Sequence, residues 1–152
     1  MKSGLPALAF FLAVVSAPPL SVLAYFAAAQ LVPESGAPLS WGMGDLVFTM
    51  IIATAWGVVP SLVFGGVGLA VLHQVTKAPT RRAHVVAGGG AAALYLGAAA
   101  GLRGVSESLA LLVAPWAGIF MERGPTPWLI GGAILLSGFA AGLIYSLVAK
   151  RG

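Results

Sequence analysis

Long apolar stretches alternate along the chain with short segments that hold its charged residues. Four stretches are free of Asp, Glu, Lys and Arg: 5–32, 46–75, 85–102 and 128–149. A helix needs roughly 20 apolar residues to cross the hydrocarbon core of a bilayer. The pattern therefore predicts an all-α fold, an integral membrane four-helix bundle, with residues 1–152 forming a single transmembrane domain.

Composition supports a membrane location. Charged residues make up 8% of the chain and hydrophobic residues 59%, whereas soluble domains average about 25% charged residues. Such a chain cannot cover its own surface in water, so we expect the lipid bilayer to be its main partner. The formal charge of +4 does not indicate nucleic-acid binding, because the basic residues form no patch with polar or aromatic neighbours. We expect no nucleic-acid partner and no soluble substrate.

The first stretch has some features of a secretory signal. Lys2 precedes an apolar run, and small residues lead up to Ala24, as they do before a cleavage site. The apolar character continues beyond Ala24 to Val32. We therefore expect an uncleaved first span.

Charge placement predicts the orientation. The basic residues before span one, between spans two and three, and after span four are Lys2, Lys77, Arg81, Arg82, Lys150 and Arg151. Because positive residues are retained on the cytoplasmic side, both termini should face the cytoplasm of a bacterial inner membrane. The alternate connections hold all the acidic residues, and Trp41, Trp116 and Trp128 lie in or beside them, as expected of an interfacial aromatic belt.

The connection between spans three and four contains a further apolar segment, 105–121. Its uncharged part, 109–121, is interrupted by Pro115 and is too short to cross the bilayer. We therefore expect a short interfacial or re-entrant helix here. A full crossing is the alternative, and it would place the C-terminal cations outside. A helix continuing past Leu102 would pair Arg103 with Glu107 on one face.

Local signals predict how the helices begin and bend. Asp45 and Thr126 are the expected N-caps of spans two and four, and Pro127 should occupy the first turn of span four. Three prolines lie inside spans: Pro18, Pro19 and Pro60. Each removes a backbone hydrogen bond, so we expect spans one and two to bend there.

Small residues recur at intervals of about four along three of the spans. They are Gly57, Ser61 and Gly65 on span two; Gly89, Ala93, Gly97 and Gly101 on span three; and Gly138, Gly142 and Ser146 on span four. Such stripes let helix backbones approach closely in lipid. One interpretation is that they hold this bundle together. The other is that at least one stripe packs against another protein. Gly88, Gly89 and Gly90 occur in succession, which weakens a helix by about 1 kcal/mol per residue relative to alanine.

The two histidines flank the turn between spans two and three. In an antiparallel hairpin, His73 and His84 lie at similar depth, as in a bis-histidine b-type haem or a half-built metal site. The simpler interpretation is a pair of ordinary interfacial histidines, and we expect no cofactor. The neighbouring cations Lys77, Arg81 and Arg82 either determine orientation or dock acidic lipid or a cytoplasmic partner.

No pattern of reactive residues indicates catalysis. The spans carry no central charge of the kind that ion-coupled transport needs, and no phosphate-binding, zinc-protease or dinucleotide motif is present. We therefore expect a protein that is not an enzyme but an accessory, structural or assembly subunit of a larger membrane complex, with other integral membrane subunits as partners. A small oligomeric transporter or pore is the alternative, although Thr49, Thr54 and Ser61 are too scattered to form a polar stripe.

Overall fold

The computed structural model describes residues 4–32, 42–114 and 125–149, and within these ranges all the regular structure is helical. The helices are α1 Gly4–Ala29, α2 Met43–Val75, α3 Arg81–Val105, α4 Glu107–Val113 and α5 Thr126–Ala149. Four of them, α1, α2, α3 and α5, are long and apolar enough to cross a membrane. The all-helical class and the four long apolar helices are thereby confirmed.

The four long helices form a ring in which each packs against two antiparallel neighbours. Helix α1 contacts α2 and α5, and α3 likewise contacts α2 and α5. The antiparallel order follows from pairs such as Pro18 with Gly57 between α1 and α2, and His73 with His84 between α2 and α3. Successive long helices therefore run up and down, and their inner faces meet along a common axis.

Two helices begin before the predicted residues. Helix α2 starts at Met43, so Asp45 is its third residue and not its N-cap; the carboxylate Oδ2 of Asp45 accepts a hydrogen bond of 3.0 Å from the Gly42 N–H. Helix α5 starts at Thr126, and the carbonyl of Pro125 accepts from the Leu129 N–H at 3.0 Å. The predicted N-cap of α2 was therefore wrong by three residues, and α5 begins one residue earlier than predicted. Pro127 does lie in the first turn of α5, where its missing N–H costs nothing.

Helix α3 extends beyond the predicted span at both ends. The Thr80 side chain accepts from the Ala83 N–H at 3.2 Å and caps a helix that begins at Arg81. The two arginines placed in the loop by the sequence therefore belong to the first turn of α3. At the other end, α3 stops at Val105 and α4 begins at Glu107. The helix does run on past Leu102, but it is interrupted at Ser106, so Arg103 and Glu107 lie on different helices.

Helix α4 packs against α3. The Tyr95 hydroxyl donates to the Val113 carbonyl at 3.3 Å, and Ala110 and Ala114 are buried in a cluster with Tyr95 and Ile134. The seven residues of α4 span only about 10 Å, so α4 itself cannot cross a bilayer. The remainder of the predicted segment, from Pro115 onward, lies outside the described residues, as do Trp41 and Trp116.

Backbone atoms of α3 and α5 are in direct contact. A Cβ atom added to Gly142 would overlap the His84 carbonyl and lie 3.0 Å from the Cα of Val85. A Cβ added to Gly88 would overlap the Gly138 carbonyl. Only glycine fits at these positions, as expected where helices associate in lipid through direct packing. We call Gly88, Gly138 and Gly142 the glycine contact.

A second close contact joins α1 to α2. A Cβ on Gly57 would lie 2.7 Å from both Cβ and Cγ of Pro18, which is buried. Helix α1 runs without interruption through Pro18 and Pro19, and α2 runs through Pro60. The bends expected at these prolines stay a prediction.

We expect Gly142→Ala to lower the free energy of unfolding by about 1–3 kcal/mol, because the methyl group overpacks the α3–α5 contact. Gly104→Ala is the matched control: Gly104 is also helical, but nothing lies within 4 Å of an added Cβ. The control should be neutral or slightly stabilising, since alanine favours the helix by about 1 kcal/mol. Unfolding by SDS in mixed micelles measures both. Equal effects of the two substitutions would show that α3 and α5 do not meet at Gly142.

Candidate functional site

Three rings from three helices cluster at the end of the bundle that holds the α2–α3 turn. His73 lies in the last turn of α2, His84 in the first turn of α3, and Tyr145 near the end of α5. The two imidazole centroids are 6.3 Å apart with planes at 71°, and the His84 and Tyr145 centroids are 5.1 Å apart with planes at 36°. The structure thus brings the two histidines together and adds a tyrosine to them.

His84 is the buried member of the histidine pair, at 7% exposure, whereas His73 is exposed. Its Nδ1 atom lies 2.9 Å from the Thr80 carbonyl oxygen. Because a carbonyl can only accept, Nδ1 must carry the hydrogen, and in the neutral ring Nε2 is left with a lone pair. The start of α3 therefore fixes both the tautomer and the orientation of His84.

A cavity of about 110 Å³ lies between α1, α2, α3 and α5, and it is lined by residues of all four helices. His84 and Tyr145 form part of its wall. The remainder is mostly alanine, glycine and larger apolar side chains such as Phe10, Phe64 and Leu69. The site is thus a small apolar chamber with a few polar groups.

Three hydroxyl groups in the cavity wall donate to backbone carbonyls. Ser137 donates to the Ile134 carbonyl at 2.8 Å, and Ser21 donates to the Pro18 carbonyl at 2.6 Å. The Tyr95 hydroxyl donates to the Val113 carbonyl of α4. The Ser61 and Tyr145 hydroxyls also lie in the wall, and neither has a hydrogen-bond partner among the described residues.

The cations predicted to dock lipid or a partner surround the turn at this end. Lys77, Arg81 and Arg82 are all exposed, and none lines the cavity. They lie at the outside of the bundle, apart from the cavity between the helices.

The space around the two histidines does not suit a porphyrin. A Cβ on Gly68 would lie 3.1 Å from both the Ala87 carbonyl oxygen and the Ala91 Cβ, so α2 and α3 are in contact within two turns of the imidazoles. A haem between His73 and His84 would require the two helices to separate. The haem alternative receives no support from this packing.

The small residues predicted to pack helices fall into two groups. The first group faces the inside of the bundle: a neighbouring helix touches Gly57, Gly89, Gly138 and Gly142, the Phe10 ring is in ordinary contact with Gly65, and Ser61 lines the cavity. The second group consists of Gly97 and Gly101, and no described residue lies within 4 Å of a Cβ added to either. Gly88, which the sequence marked as the first of three successive glycines, is a further close contact, and Gly68 is a contact that sequence reasoning did not single out. The stripe on α3 is therefore divided between an inner and an outer face.

The outer face of α3 forms a shallow apolar groove with α2. Its lining residues are Val63, Phe64, Val67, Gly90, Ala93, Leu94, Gly97 and Ala98. We call this surface the outer groove. Gly90, Ala93 and Gly97 are exposed, and Val63 and Val67 are about half exposed, at 50% and 47%.

Comparison of the chain with protein-family models, with curated proteins and with solved structures finds no match. Its function is therefore inferred from the geometry of the cavity, the basic turn and the outer groove.

Sequence reasoning missed Tyr145, which the structure places beside His84. A signal was present: Tyr145 lies four residues before the end of α5, and the predicted topology puts that end on the same side as both histidines. Since the span is apolar all round, no polar face showed which way its tyrosine points.

We expect diethyl pyrocarbonate, which acylates imidazole nitrogen, to modify His73 well before His84. His73 is exposed, while His84 is only 7% exposed and its ring packs against the Tyr145 ring. Mass spectrometry of peptides from the folded protein in detergent measures the two rates, and SDS-unfolded protein serves as the control in which they become equal. Equal rates in the folded protein would contradict the placement of His84.

Proposed function

We propose that the protein is a four-span integral membrane protein that acts as a non-catalytic accessory or assembly subunit of a larger complex in a bacterial inner membrane. Its outer surface supports the location, because large apolar side chains are exposed along the long helices. Examples are Phe48 at 65%, Val59 at 67% and Leu136 at 62%. Exposure of such a surface is unfavourable in water, whereas contact with lipid tails is compatible with it.

The proposed orientation has the N-terminus, the α2–α3 turn and the C-terminus in the cytoplasm. The positive-inside rule supports it, as does the exposure of Lys77, Arg81 and Arg82 at that turn. Four antiparallel crossings then return the chain to its starting side. Helix α4 follows α3 on the opposite side, and its contact with Tyr95 supports a short re-entrant arrangement.

The observation that carries the subunit proposal is the unpartnered glycine face of α3. Glycine in a helix costs about 1 kcal/mol relative to alanine. At the glycine contact, this loss is offset by the close approach of α5. Gly97 and Gly101 have the same spacing, but no atom of the described residues lies within 4 Å of a Cβ added to either. We infer that their partner is a helix outside this chain.

The outer groove fits an apolar membrane helix of another subunit. Its glycines would allow the backbone of the incoming helix to come close, and Val63, Val67 and Leu94 form its apolar walls. Such a site matches packing in lipid, where small residues at the interface replace the missing hydrophobic driving force. Helix α2 is available for this role because little of it is buried by the rest of the bundle. Within its most apolar stretch of 18 residues, 11% of the residues are buried, compared with 39% in the corresponding stretch of α5.

The pore alternative receives no comparable support. A conducting path needs polar groups or carbonyls directed at the permeating species along its length. Ser21, Ser137 and Tyr95 in the cavity wall bond to backbone carbonyls, and the remaining polar side chains of the wall are only Ser61, His84 and Tyr145.

The orientation can be tested with single cysteines, because the chain has none of its own. In intact cells, we expect Ala78→Cys in the α2–α3 turn to react only with a membrane-permeant maleimide. Val105→Cys, at a residue that is 82% exposed at the end of α3, should react with an impermeant reagent as well. The opposite pattern would invert the orientation, and reaction of both sites with the impermeant reagent would refute a membrane-spanning hairpin.

The subunit proposal is tested by Gly97→Leu in protein purified with mild detergent from its native membrane. We expect a polypeptide at constant stoichiometry with the unaltered protein, and about a tenfold loss of it in the variant, which corresponds to about 1.4 kcal/mol. Gly44→Leu is the matched control, since Gly44 is also without neighbours but lies outside the outer groove. A homo-oligomer without any other polypeptide, or equal recovery with Gly97→Leu, would overturn the proposal.

A further inference from the structure

The central cavity needs an explanation that the accessory-subunit role does not supply. It has a volume of about 110 Å³, is lined by all four long helices and is partly open to the outside. A void of this kind destabilises a fold, because the atoms that line it lack packing partners. Its wall is built largely from small residues, including Ala13, Ala17, Ala87, Ala91 and Ala141. A single larger side chain at one of these positions would fill it.

Besides the Ser61 hydroxyl, two polar groups in the cavity wall remain available after the hydrogen bonds of the described residues are assigned, and both belong to buried rings. His84 uses Nδ1 for the Thr80 carbonyl, which leaves Nε2 as an acceptor. The Tyr145 hydroxyl can both donate and accept. Neither Nε2 nor this hydroxyl has a hydrogen-bond partner in the ranges that the structure describes, although the two residues are only 7% and 8% exposed. Neither atom is sealed from a small molecule.

The rings that carry the two free groups are neighbours in the cavity wall, with centroids 5.1 Å apart. A functional group of a ligand at this end of the cavity would therefore lie beside both rings. A hydroxyl suits them both, because its hydrogen can be donated to Nε2 of His84 while its oxygen accepts from Tyr145. A charged group does not suit the site, since the rest of the wall is almost wholly apolar and burial of an ion there is costly.

The volume limits the size of the ligand. An engineered apolar cavity of about 150 Å³ binds benzene. The cavity here is smaller, at about 110 Å³, but it is partly open, so it can admit a single ring or a short branched chain and nothing much larger. Binding sites of this kind combine apolar walls with a few convergent polar groups. We propose that the cavity is a binding site for a small lipophilic alcohol of the phenol class, whose hydroxyl is bound by His84 and Tyr145. The proposal does not depend on the subunit role.

Phenol is the probe, and the histidines report on it. The chain has only two histidines, so ¹⁵N-histidine labelling of the full-length protein in detergent gives one buried and one exposed imidazole. We expect phenol to shift the Nε2 resonance of His84 in a saturable manner. His73 is the internal control, because it is exposed and does not line the cavity. A linear shift of both rings would mean that phenol only partitions into the micelle, and it would overturn the proposal.

The role of Tyr145 is tested by comparing phenol with benzene. We expect Tyr145→Phe to weaken phenol binding about threefold to tenfold, the value of one neutral hydrogen bond, and to leave benzene binding unchanged. Tyr25→Phe is the matched control, since Tyr25 does not line the cavity. Equal affinity of Tyr145→Phe and the unaltered protein for phenol would contradict the assigned hydroxyl contact.

The position of the ligand is tested by filling the cavity. Ala141→Leu places a larger side chain in the cavity wall and should abolish the saturable response to both phenol and benzene. The unfolding profile of the variant in SDS shows whether it folds. A folded Ala141→Leu protein that still binds phenol would overturn the assignment to this cavity. If the variant does not fold, the comparison at Tyr145 decides the matter alone.

Discussion

The backbone contact between α3 and α5 is the interaction on which the rest of the structure depends. In lipid, helices gain little from hiding apolar surface, and they associate where their backbones can approach closely. Gly88, Gly138 and Gly142 provide that approach, and Gly142 lies directly against the His84 carbonyl. The contact therefore sets the position of the first turn of α3 relative to the end of α5. As a result, the His84 ring lies beside Tyr145.

The same choice of small residues produces both tight contacts and the cavity. Where a glycine faces a backbone or a bulky neighbour, as Gly57 faces Pro18, the helices close together. Where alanines face one another around the bundle axis, as with Ala13, Ala91 and Ala141, the side chains are too short to meet, and a void remains. The helices cannot move closer together to fill this void, because each helix is rigid and its distance from its neighbours is fixed where they touch. The cavity is a consequence of the contacts as much as of the residues that line it.

Much of this arrangement could be predicted from the sequence, because the relevant signal was the alternation of apolar and charged segments. The four long helices, the antiparallel hairpin that joins His73 to His84 and the importance of Gly138 and Gly142 all follow from spacing alone. What could not be predicted is which way each helix faces. A span that is apolar all round offers no polar face to mark its outside, so Gly97 and Gly101 could not be distinguished from Gly138 and Gly142. The starts of α2 and α5 were predicted too late for a local reason. Gly42 and Pro125 immediately precede the first turns of these helices, whereas Asp45 and Thr126 lie inside those turns.

The three successive glycines of α3 show how one helix can serve three surroundings. Successive residues of a helix point about 100° apart, so Gly88, Gly89 and Gly90 face different neighbours. Gly88 meets the backbone of α5, Gly89 meets the ring of Phe139, and Gly90 lies in the outer groove, with nothing within 4 Å of an added Cβ. Two of the three glycines are therefore explained by α5, and the loss of helix stability at the third is not offset by any contact within the described chain. Helix α3 thus carries two faces built for close approach, one used inside the bundle and one directed out of it. A helix filling the outer groove would touch the same turn of α3 that holds α5 in place.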